Sequence, residues 1–119
     1  MQPLHTVAYT GAFLAQAKAD GMTEGEMSAL EQMLSVNPEA GELIVGSGGC
    51  RKVRIAGKGR GKSGGYRVVT FFAHAGLPVY LLAMLSKGNR ANFSAPEVAA
   101  MATLAKRIIT AGNAGRQPH

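Results

Sequence analysis

The fold turns on the stretch Gly46–Phe72, GSGGCRKVRIAGKGRGKSGGYRVVTFF. Between Gly46 and Arg67 it holds seven basic residues (Arg51, Lys52, Arg54, Lys58, Arg60, Lys62, Arg67) and no acidic one. In CRKVRIA, Cys50, Lys52, Arg54 and Ala56 share one parity, and Arg51, Val53 and Ile55 the other. That alternation predicts a short strand with a basic face and a mostly apolar face. The run GKGRGKSGG reads as a hairpin loop. Tyr66–Phe72, rich in aromatic and β-branched residues, returns the chain as a central strand. Arg67 lies on the parity of Val69 and Phe71, so a charge stands at the end of a core face. With no carboxylate close in sequence, the cations repel one another until an anion arrives. A phosphate backbone is the anion expected.

Downstream, Gly76-Leu77-Pro78 turns the chain into Val79–Leu85, VYLLAML, an apolar strand expected to be covered on both faces. Residues 86–90, SKGNR, form a second basic loop. Ser94 with Glu97 three residues on is a capping box that opens the last helix. Val98, Met101, Ala102, Ala105, Ile108 and Ile109 are its buried stripe, and Gly112 is expected to end it.

Upstream, Leu4–Tyr9 reads as an edge strand, and Phe13, Leu14 and Ala17 mark a helix stopped by Gly21. Thr23 and Glu26 make another capping box, followed by Met27, Leu30, Met33 and Leu34 at helical spacing. Asn37-Pro38 ends that helix. Glu39–Gly46 reads as a connector, with Leu43, Ile44 and Val45 tucked inward. The expected fold is therefore α+β: a small antiparallel sheet of about four strands, two N-terminal helices and one C-terminal helix. Residues 1–112 form a single domain, and 113–119 are expected to be a disordered tail.

The chain has 119 residues and a formal net charge of +6, unevenly spread. Residues 1–50 balance to −5, 51–67 to +7 and 68–119 to +4. Such polarity suits a nucleic acid on one side, the acidic side serving solubility or a second, protein partner. One cysteine excludes an internal disulfide framework, and Cys50 reads as a small buried strand residue. No apolar run reaches the ~18 residues a membrane span needs, and the N-terminus lacks signal-peptide character, so a cytoplasmic location without membrane contact is expected.

The run PEAGELIVGSGGCRKVRIAGKGRGKSGGYRVV closely resembles the RelE/ParE toxin superfamily of type II toxin–antitoxin modules, and within it the HigB-type branch. The matching features are Asn37 to Gly41, Ile44-Val45, the glycines of 46–49, Arg51-Lys52-x-Arg54, the 57–63 loop, and Gly64-Gly65-x-Arg67-Val68. Leu81-Leu82, Lys87, Asn92-Phe93-Ser94 and Glu97 continue the match. The resemblance implies a ribosome-dependent, metal-independent and cofactor-free mRNA endoribonuclease that inhibits translation. It also implies the ribosome, its mRNA and a cognate antitoxin, expected to be a helix-turn-helix DNA-binding protein, as partners. Two positions depart from the pattern: position 70 is Thr where relatives commonly carry an aromatic, and position 85 is Leu where they commonly carry Tyr. A gyrase-directed toxin of the same fold and a pure RNA- or DNA-binding module stay open as alternatives.

The chemistry can be argued from the residues themselves. RNA carries its own nucleophile, the 2′-hydroxyl, so an enzyme must stabilise a phosphorane-like state and move protons. Arginine forks suit the phosphate. Arg67, Arg54, Lys52 and Lys87 are the catalytic candidates, with Arg67 gripping the scissile phosphate. Arg51, Lys58, Arg60, Lys62, Tyr66 and Arg90 are the RNA-binding candidates, Tyr66 by stacking. A paired-histidine mechanism fits poorly: His119 is terminal, and His74 is about 20 Å from Arg67 along a regular strand. No carboxylate pair for a metal lies near the basic stretch. The Gly-Lys-Ser of the loop lacks P-loop spacing and is followed by a strand rather than a helix.

Overall fold

The chain runs through β1 (Val7–Tyr9), α1 (Gly11–Ala19), α2 (Glu24–Val36), β2 (Glu42–Leu43), β3 (Cys50–Ile55), β4 (Tyr66–Phe71), β5 (Val79–Leu85) and α3 (Ala95–Arg116). The computed structural model describes residues 5–55, 65–85 and 93–116, with side chains except at 85 and 113–116. The strands form one sheet in the order β1-β5-β4-β3-β2. β3 and β4 pair antiparallel, from Cys50 opposite Phe71 to Ile55 opposite Tyr66.

The sheet has five strands rather than about four, and it is mixed rather than antiparallel. β1 lies parallel to β5, with Val7 opposite Val79 and Tyr9 opposite Leu81. The extra strand is β2, where a plain connector was expected. Gly41, at φ +98°, turns the chain back against β3, so that Glu42 faces Lys52 and Leu43 faces Arg51. A Cβ at Gly41 would come 2.4 Å from the Lys52 carbonyl oxygen, a position only glycine fits. Of the three apolar residues after Glu42, only Ile44 is buried; Leu43 is 55 % and Val45 88 % exposed.

Helices cover both faces of the sheet. On one side Phe13, Ala17, Leu30 and Leu34 of α1 and α2 pack on Tyr66, Val68, Val79, Leu81 and Met84. On the other, α3 brings Ala105, with Met101, Leu104 and Ile108 beside it, onto Cys50, Val69, Phe71 and Leu82. The ladder between β4 and β5 skips one residue, since Val69 faces Ala83 while Thr70 faces Leu81. Leu82 is the extra residue of a bulge, and it resets the alternation. Leu81 and Met84 therefore face α1 and α2, while Leu82 and Ala83 both face α3. The Leu82 carbonyl accepts the Thr10 hydroxyl at 2.6 Å, and Thr10 also caps α1 by accepting from the Phe13 amide.

Both expected capping boxes are present: Thr23 with Glu26, and Ser94 with Glu97. The last helix, however, runs through Gly112 to Arg116, so residues 113–116 belong to α3 and not to a tail. Gly112 serves packing instead. A Cβ there would meet Leu77 Cδ2 at 2.6 Å.

Candidate nucleic-acid interface

The β3–β4 register sets Arg54 directly opposite Arg67, and Lys52 opposite Val69. Alternation then turns Lys52, Arg54 and Arg67 to the same face of the sheet, the one α3 covers farther along. Lys52 and Arg67 are half-buried and Arg54 is exposed. Directly opposed like charges are unfavourable in a sheet, and an anion bound between them relieves the repulsion. The three line a cleft of about 460 Å³, together with Gly41, Glu42 and Val53. Its anchor is rigid, because β3 and β4 are paired along six residues. The cleft sits where β3 ends at Ile55 and where β5 ends at Leu85, which faces Arg67.

The other candidates divide into three groups. Arg51 is turned to the opposite face, opposite Leu43 and Thr70, and its Nη1 donates to the Gly41 carbonyl at 3.2 Å. There it holds the turn that starts β2. Tyr66 is 3 % exposed in the core beneath α1 and α2, and its hydroxyl donates to Glu26 Oε1 at 3.2 Å. Its ring is not available for stacking on a base, which corrects the expectation for this residue. Lys58, Arg60, Lys62, Lys87 and Arg90 lie outside the described residues.

A family sequence model described as the RelE toxin of the RelE/RelB toxin–antitoxin system matches residues 10–115. The chain belongs to the RelE toxin family. Among solved structures, E. coli toxin RelE, a double arginine-to-alanine mutant in the free state, superposes with a TM-score of 0.53. It shares 19 % identity, over 88 % of this chain and 98 % of that one, a likeness of fold. Family membership makes the chain the toxin half of a toxin–antitoxin module, with an antitoxin as its partner.

On this RelE-type scaffold the structure adds one group that the sequence reading missed. Glu42 is a carboxylate lining the cleft, brought beside Lys52 by the Gly41 turn. In the sequence Glu42 falls in the Glu39–Gly46 connector, with no periodicity to place it beside the basic strand. The available signal was Gly41 itself, immediately before Glu42. The cleft thus combines cations that can hold a phosphate with a carboxylate that can accept a proton.

Among the described residues, Cys50, His5 and His74 have structural partners. Cys50 is fully buried, its amide donates to Ser47 Oγ at 2.9 Å, and burial raises its thiol pKa. A neutral, enclosed thiol is a poor nucleophile. The His5 ring packs edge-on against Phe72 at 5.1 Å. His74 Nδ1 accepts the Gly76 amide at 3.0 Å.

Proposed function

We propose that this RelE-family toxin is a ribosome-dependent, metal-independent mRNA endoribonuclease of the HigB-like branch that inhibits translation in the cytoplasm. The observation that carries the reading is the cleft where Lys52, Arg54 and Arg67 meet Glu42. The 2′-oxygen of the RNA attacks the adjacent phosphorus, and the bond to the 5′-oxygen of the next nucleotide breaks. The products are a 2′,3′-cyclic phosphate and a 5′-hydroxyl. Arg54 and Arg67 hold the phosphoryl oxygens as their charge rises in the transition state. Glu42 takes the 2′-hydroxyl proton, and Lys52 or Lys87 supplies charge or a proton at the leaving oxygen. Lys58, Arg60, Lys62 and Arg90 hold flanking RNA through phosphate contacts. The cognate antitoxin, a helix-turn-helix DNA-binding protein in this reading, keeps the toxin from the ribosome.

The test is a primer-extension map of mRNA cut sites on purified ribosomes. The wild type cuts in the A-site codon, and chelator does not stop it. Arg67→Ala lowers the cleavage rate by about 10²–10³, the effect of removing one donor to a developing oxyanion. Undiminished cleavage by Arg67→Ala removes Arg67 from the site. Intact mRNA together with inhibited gyrase supercoiling overturns the nuclease reading.

A further inference from the structure

We propose that the apolar groove between α3 and the β4–β5 pair is a nucleobase subsite, holding the base next to the scissile phosphate; this rests on the nuclease reading above. The groove has a volume of about 240 Å³. Its floor is Val69, Leu82 and Ala83 from the sheet, and its walls include Phe93, Met101 and Leu104.

Its position ties it to the cleft. Val69, on the groove floor, is the cross-strand partner of Lys52 and lies two residues from Arg67 on the same face of β4. Two residues of strand span about 7 Å. A phosphate held by Arg67 therefore has the groove within one nucleotide's reach.

The lining selects a base over a phosphate. Glu97 contributes the carboxylate among the lining residues, which repels a phosphate, and the rest of the lining is apolar. Phe93 and Met101 are half-buried, so the phenyl ring and the thioether can contact a planar π-face. The β5 bulge makes room for this lining, since it turns Leu82 and Ala83 to the same side. Tyr66 is enclosed in the core, and the residue facing Arg67 on β5 is Leu85.

The experiment is a two-way cycle on ribosome-programmed mRNA. One arm replaces single A-site nucleotides by abasic residues that keep the 2′-hydroxyl. The other compares wild type with Ala100→Trp, which fills the groove from the exposed side of α3, and with Phe93→Ala. Removing the base beside the cut should lower the wild-type kcat/KM by about 5–150-fold, the range for one stacked base. Ala100→Trp should show a similar loss on intact mRNA and no further loss on the abasic one. Additive losses, or none, overturn the subsite while leaving the nuclease reading in place. Unchanged cleavage with lost antitoxin binding in Ala100→Trp overturns it in favour of a protein-docking groove. A wild type that cuts no mRNA overturns both readings.

Discussion

Tyr66 and Arg67 are consecutive residues of one strand, yet their surroundings share almost nothing. Tyr66 points into the layer made by α1 and α2, where its hydroxyl meets Glu26 and its ring is enclosed. Arg67 points to the other face and lines an open cleft with Lys52, Arg54 and Glu42. The closed side holds the strand in position, and the open side uses that position. A phosphate-binding guanidinium works best on an element whose other face is locked by packing. The difference also separates two quantities, stability and activity, that substitutions should move independently.

The largest separation is expected on the open side. Glu42→Gln keeps the shape of the side chain and removes the carboxylate that the proposed mechanism uses as proton acceptor. It should lower ribosome-coupled cleavage by about 10²–10⁴ and leave the melting curve unchanged. A rate within twofold of wild type would falsify the role of Glu42. On the closed side the converse holds. Phe13 is fully buried, and Phe13→Ala should cost about 3–5 kcal/mol of unfolding free energy in urea titrations. Cleavage by the fraction that remains folded should be close to normal. Normal stability in this variant would mean that α1 does not lock the sheet.

Gly41 is where the two sides meet, and Gly41→Ala should break the separation. The residue sits at φ +98°, its carbonyl accepts from Arg51, and it positions Glu42 in the cleft. An added methyl collides with the Lys52 carbonyl. The strained backbone should cost about 1–3 kcal/mol, with cleavage falling by more than the loss of folded protein explains. Loss of stability at full specific activity would show that β2 does not matter to the cleft.

How much of this could be read beforehand depended on periodicity. β3 was legible because its six residues alternate, with Lys52 and Arg54 on one parity, and β4 because aromatic and β-branched residues fill it. The capping boxes were legible because their side-chain chemistry is local. β2 was not, since two residues cannot display a period, and Glu42 was missed with it. The β5 bulge was invisible because VYLLAML is apolar on both parities, so a reset of the alternation leaves no mark. The parallel pairing of β1 depends on partners some 70 residues away. Tyr66 was misjudged although its parity is opposite to that of Arg67. The alternation that directs Arg67 to the cleft also sends Tyr66 to the core.

The pairing of β1 with β5 ties the order of synthesis to the order of assembly. Thr10 reaches the Leu82 carbonyl across a sequence separation of 72 residues, and among the described residues β1 has its strand neighbour in β5. On a translating ribosome that delay is roughly 4–15 s at ordinary elongation rates. Until then the apolar faces of α1 and α2 have no completed sheet to cover them. The closed layer is therefore finished late in translation, after most of the toxin has already left the peptidyl-transferase centre.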